Sequence, residues 1–210
     1  MSCLTHQIDA LRWYGGEVES VNCMTRVIPE RMEGEFLGLM SARMQSGALA
    51  ELSINWWTRS NAGSNALWYE MVQVCGSKGE AYRMPGRGTF VRLHADSDKK
   101  AIEKYGANVV DEYVEVPNAP HSGHEKCITE WSKSLRGNGR GMIRTSGREC
   151  RGTVEVAEAA YLAEQEGRTI HLPIEPKPWV DSSDPEQIKK QFAAEMSSTE
   201  ERNPDNPLAT

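Results

Sequence analysis

The sequence predicts an α+β fold: a large, mostly antiparallel open sheet with helices packed on one face. Three observations carry this expectation. Strand-like segments recur from residue 17 to 57 and again from 68 to 116, glycine-containing turns join several of them, and two well-signalled helical segments follow the strands.

The chain opens with a short amphipathic helix, because Leu4, Ile8 and Leu11 recur at helical spacing and Gly15-Gly16 supplies a stop. Glu17 to Ile28, Phe36 to Ser46 and Ala48 to Trp57 then read as strands, the last two turning on Ser46-Gly47 as a hairpin. In the third, Leu52, Ile54 and Trp56 alternate with Glu51, Ser53 and Asn55, the pattern of a half-buried sheet face.

A polar loop, Arg59 to Asn65, leads to strands Trp68 to Cys75, Glu80 to Met84 and Thr89 to His94, the first two joined by Gly76-Ser77-Lys78-Gly79. These strands are expected to extend the same sheet. Lys99 to Tyr105 is a short helix or an excursion, and Glu112 to Val116 is an edge strand ended by Pro117.

Ser122 with Glu125 forms a capping box for the next helix, on which His124, Cys127, Ile128, Trp131 and Leu135 make one stripe. A second helix runs from about Arg148 to Glu166. Its Cys150, Val154, Ala157 and Tyr161 share a face rich in small residues, which predicts close packing on the sheet, and Gly167 ends it before a strand over Thr169 to Leu172. The resulting division is a folded domain over 1–173 and an extended tail over 174–210. One short tail helix is expected, capped by Ser183 with Ile188, Phe192 and Met196 on a face.

The 210 residues are enough to bury a core without disulfides or a structural metal. With 24 Lys and Arg against 30 Asp and Glu, a formal charge of −6, the composition argues against nucleic acid as a partner. Five widely spread cysteines without C-x-x-C spacing read as reduced thiols, and neither a signal sequence nor an uninterrupted apolar span is present, so no membrane and a cytoplasmic location are expected.

Most site motifs are absent. Neither G-x-G-x-x-G nor G-x-x-x-x-G-K-[ST] occurs, and Gly137-Asn138-Gly139-Arg140-Gly141 reads as a connecting loop. Arg136, Arg140, Arg144 and Arg148 recur every fourth residue, but the intervening glycines favour a solvated loop. His124-Glu125-Lys126-Cys127-Ile128 begins like H-E-x-x-H and fails at Ile128, and a metal site from His121, His124 and Cys127 is disfavoured against a packed or hydrogen-bonded His124. His6 and Asp9 stand one helical turn apart, where a histidine can move a proton at neutral pH beside an orienting carboxylate; a capping or buried polar pair is the competing reading.

Thr5-His6-Gln7-Ile8-Asp9-Ala10-Leu11-Arg12-Trp13, followed by Gly15-Gly16-Glu17-Val18-Glu19-Ser20-Val21, resembles the glucose-fructose oxidoreductase/inositol dehydrogenase (Gfo/Idh/MocA) family. That family's pattern is D-x-G-x-H-x-x-D, a short helix, glycine and a strand. Three further landmarks follow in the family's order: Gly47-Ala48-Leu49-Ala50-Glu51-Leu52, Gln73-Val74-Cys75-Gly76-Ser77-Lys78-Gly79, and Gly147 through Glu166 ending in Gly167-Arg168-Thr169-Ile170-His171-Leu172-Pro173.

The resemblance is to the family's C-terminal domain, an α+β unit that binds substrate and mediates oligomerisation. It implies an NAD- or NADP-dependent oxidoreductase acting on a sugar or polyol, with His6 as the catalytic residue. The family's Rossmann domain and its Glu-Lys-Pro lysine have no counterpart in these residues, and Ser2 stands where members commonly carry an aspartate. Asp9, Trp57, Arg59 and Trp68 are the candidate substrate contacts, the last three from their places near strand ends beside a polar loop, with a structural role for each of those three as the favoured competing reading. The expectation is therefore the substrate-binding and oligomerisation part of such an enzyme, a fragment or one subunit of a split enzyme, inactive alone. Its partners would be a second copy through the sheet and a separate Rossmann-domain chain. The alternative is a non-catalytic dimerisation or carbohydrate-binding protein derived from the domain.

Overall fold

The computed structural model describes residues 4–31, 34–56, 71–84, 87–117, 123–136, 146–175, 186 and 190. The chain divides into two compact units, Met1–Leu172 and Pro173–Thr210, and all the elements described below lie in the first. Their order is helix α1 (Thr5–Gly15), strands β1 (Val18–Val27), β2 (Glu35–Met44), β3 (Leu49–Asn55), β4 (Val72–Gly76), β5 (Gly79–Met84) and β6 (Gly88–Leu93), helix α2 (Lys99–Tyr105), a 3-10 turn over Ala107–Val110, β7 (Val114–Val116), helices α3 (Gly123–Arg136) and α4 (Gly147–Glu166), and β8 (Ile170–His171).

The α+β class is borne out, with strand pairing antiparallel throughout the described residues. The strands form two four-stranded sheets, β3-β2-β1-β8 and β4-β5-β6-β7. The expectation that the later strands extend the first sheet is thus corrected among the described residues: β4 pairs only with β5. Strand periodicity specifies which side chains share a face, but not which edge finds a partner.

The core lies where one face of the first sheet meets α1 and α4. Phe36, Met40, Ala42 and Met44 of β2 alternate inward, joined by Val21 and Cys23 of β1 and Leu52 of β3. Ile8 from α1 and Val156 from α4 are also fully buried there, each contributing roughly 1.5–3 kcal/mol by removal from water. The opposite face is open. Met24, Leu39 and Ser53 form one row across β1, β2 and β3, and Asn22, Ser41 and Glu51 form the next, all exposed.

Helix α4 starts at an N-cap, Ser146, whose Oγ accepts from the Glu149 amide at 3.3 Å, and stops at Gly167 in the left-handed conformation at φ 61°. It packs on β1 and β8 as expected, but through Thr153, Val156, Ala157, Ala159, Ala160 and Ala163. Val154, placed on the packing face from sequence, is instead exposed. The alanines let the helix sit close to the sheet, and that approach rotates the larger Val154 outward. Three polar contacts fix the helix further: Glu164 Oε2 accepts from the Thr25 amide at 2.8 Å, and the Tyr161 hydroxyl reaches Glu35 Oε1 and Oε2 at 3.0 and 3.1 Å.

Helix α3 departs most from its sequence reading. Its apolar stripe, Ile128, Trp131 and Leu135, is exposed together with His124 and Cys127, whereas Ser134 is buried. Of the packed or hydrogen-bonded histidine expected at position 124, the packed alternative is corrected: the side chain is exposed. In the second sheet Tyr82 stacks on Phe90 with centroids 5.2 Å apart and meets Tyr113 edge-on at 4.9 Å.

Candidate functional site

Helix α1 presents the candidate residues. Leu4 and Ile8 bury one side of it, and this turns His6 and Asp9 to the exposed side, one helical turn apart. His6 has no hydrogen bond or ion pair among the described residues, and Asp9 is not its partner. Asp9 Oδ1 instead accepts from the Thr153 hydroxyl of α4 at 3.1 Å. The tail of the helix closes on Gly16 at φ 85°, whose amide donates to Arg12 O at 3.0 Å.

Arg12 organises this end of the structure. Its Nε and Nη2 donate to Glu17 Oε2 and Oε1 at 3.1 and 2.8 Å, a bidentate fork across the turn from α1 into β1. Its Nη1 crosses to α4, donating to Glu149 O at 2.8 Å and to Thr153 Oγ1 at 3.0 Å. The hydrogen bonds to Glu17 hold the guanidinium pKa above its ordinary value against the opposing effect of burial, so the charge is permanent. Only 11% of the Arg12 side chain is exposed. The space it fills is left by Gly152, where a Cβ would lie 2.5 Å from Nη2 and 2.6 Å from Cζ.

The Cys23 thiol, facing α4, is pushed up to about 11, chiefly by burial and then by the Glu164 carboxylate, so it is a packing group at neutral pH. No group of three or more His, Cys, Asp or Glu among the described residues could hold a metal ion. No helix among them is long and apolar enough to cross a membrane.

Of the sequence-predicted site residues, His6 and Asp9 fall on one exposed helical face, while Trp57, Arg59 and Trp68 lie outside the described residues. The arrangement therefore offers an open imidazole beside a carboxylate whose one oxygen is already engaged. Sequence reasoning missed Arg12, Gly152 and Thr153. The signal that could have found them is a glycine inside a strong helix, which marks a close approach, next to a hydroxyl residue on the packing side.

Residues 1–82 match the family model of the GFO/IDH/MocA C-terminal domain, which includes α1 and the first sheet's three long strands. That match bears out the resemblance drawn from the sequence. Among solved structures, levoglucosan dehydrogenase in complex with NADH and L-sorbose is similar at 15% identity and a TM-score of 0.62, over 81% of this chain and 49% of that one. The WlbA dehydrogenase from Bordetella pertussis, in complex with NADH and UDP-GlcNAcA, is similar at 22% identity and a TM-score of 0.56, over 82% and 44%. Aldose-aldose oxidoreductase from Caulobacter crescentus, complexed with glycerol, is similar at 19% identity and a TM-score of 0.58, over 80% and 45%. The chain thus spans less than half the length of these structures, and the likeness is one of fold. A search of the curated proteins found no match.

Proposed function

We propose that this chain is the substrate-binding and oligomerisation part of an NAD(P)-dependent sugar or polyol oxidoreductase, working in the cytoplasm. The observation that carries the reading is the exposed His6–Asp9 face of α1 inside the segment that matches the family's C-terminal domain. An imidazole can both donate and accept a hydrogen bond, so His6 serves as acid/base or hydroxyl contact for a substrate hydroxyl, with Asp9 as the neighbouring acceptor. Trp57, Arg59 and Trp68 enter as pocket lining on their place in the sequence alone.

The described residues do not fit a dinucleotide. All their strand pairs are antiparallel, and among them no glycine-rich strand-to-helix turn is present to take a pyrophosphate. In this reading NAD or NADP is held by residues outside the 210, on a contiguous or a separate Rossmann-domain chain. The open face of the first sheet, with Met24, Leu39 and Leu49 exposed, is the proposed surface for a second copy. A second reading, a carbohydrate-binding or dimerisation protein without redox chemistry, is favoured by Ser2 in place of the family's aspartate.

Saturation-transfer NMR with L-sorbose, glycerol and myo-inositol tests the substrate side. The expected result is transfer to at least one of them that is lost in His6→Ala. Transfer to none, or transfer unaffected by His6→Ala, contradicts the reading.

A further inference from the structure

The contact between Asp9 and Thr153 has a fixed direction. Arg12 can only donate, so the Thr153 hydroxyl receives from Nη1 and has its single proton left for Asp9 Oδ1, which as a carboxylate can only accept. The other guanidinium nitrogens are committed to Glu17, and Nη1 is shared with Glu149 O, so Arg12 has no freedom to release the hydroxyl. Asp9 Oδ2 has no hydrogen bond among the described residues and belongs to an exposed side chain on the same side of α1 as His6.

We infer that Thr153 is a positioning residue for the proposed site: its hydroxyl transmits the fixed geometry of Arg12 to Asp9 and determines which carboxylate oxygen faces a sugar or polyol hydroxyl. Gly152 is the companion feature, because the guanidinium lies in the volume its missing side chain leaves. The pair Gly152-Thr153 on α4 thereby supplies both the gap and the hydroxyl. A carboxylate held in one rotamer accepts from a ligand hydroxyl without first losing rotational freedom, which is the general advantage of preorganisation.

The inference rests on the substrate reading proposed above for its ligand, and on the hydrogen-bond geometry alone for the positioning. The test uses the full 210-residue chain, isotopically labelled, as wild type, Thr153→Val, Thr153→Ser and Gly152→Ala. Three-bond couplings report the Asp9 χ1 rotamer without any ligand. A single rotamer is expected in wild type and Thr153→Ser, and rotamer averaging in Thr153→Val. Gly152→Ala keeps the hydroxyl but pushes the guanidinium away, and averaging is expected there too, which preserves the test if Thr153→Val fails to fold. In an L-sorbose titration followed at Asp9 and His6, Kd should rise about fivefold in Thr153→Val and stay unchanged in Thr153→Ser. An averaged Asp9 in wild type overturns the inference, as does unchanged L-sorbose affinity in Thr153→Val. A locked Asp9 with no response to L-sorbose, glycerol or myo-inositol in wild type supports the positioning and overturns the substrate reading instead.

Discussion

Arg12 of α1 reaches Thr153 of α4 across 141 positions of sequence, with Nη1 3.0 Å from Oγ1. The contact joins the helix bearing His6 to the long helix that packs on β1 and β8, and the same guanidinium grips Glu17 at the start of β1. Three elements therefore meet on one side chain.

Removing that side chain should be costly. Arg12→Ala breaks the fork to Glu17 and the two bonds to α4, and the expected loss is about 2–3 kcal/mol in urea unfolding. Arg12→Lys should recover less than half, because an ammonium cannot serve Glu17 bidentately while reaching Thr153. Full recovery by lysine would show that charge alone, and not the fork, holds the three elements.

The open face of the first sheet gives a second expectation. Leu39→Arg places a charge in the centre of the Met24–Leu39–Ser53 row, and light scattering at micromolar concentration should register a fall from oligomer to monomer with thermal stability of the subunit little changed. A monomeric wild type would count against the oligomerisation role.

Cys23 sets an alkaline limit to stability. Its folded pKa of about 11 lies above the unfolded value, so the folded state binds the extra proton: the stabilisation is complete below about pH 8.5 and is lost as the pH rises through about 11. Denaturant unfolding between pH 8 and 11 should therefore show a decline of the order of 2 kcal/mol from this group that Cys23→Ala lacks. At pH 8 iodoacetamide should modify exposed Cys75 and Cys127 and spare Cys23 in the folded chain.

Much of this fold could be read from residue patterns. The Leu4, Ile8 and Leu11 spacing placed α1, the alternation around Leu52 placed the buried face of β3, and Gly167 marked the end of α4. These are local signals, set by periodicity and backbone freedom. What escaped is non-local. The stripe on α3 is real, yet periodicity does not say whether a stripe faces protein or solvent, and Ile128, Trp131 and Leu135 face out. Likewise α4 turned Val154 outward because sheet contact favours its alanines. At the candidate site the local pair His6 and Asp9 was legible, whereas the Arg12–Thr153–Asp9 chain joins residues more than 140 positions apart and leaves only the helical glycine as a trace.

In the proposed function these residues carry the substrate side of an oxidoreductase and leave the nucleotide to residues elsewhere. Titrating the purified 210-residue chain with NADH and with NADPH by fluorescence, alongside an assay for NAD(P)-linked oxidation of myo-inositol and L-sorbose, tests it most directly. The expected result is no saturable binding below the millimolar range and no turnover. Tight binding of either nucleotide together with turnover would contradict it.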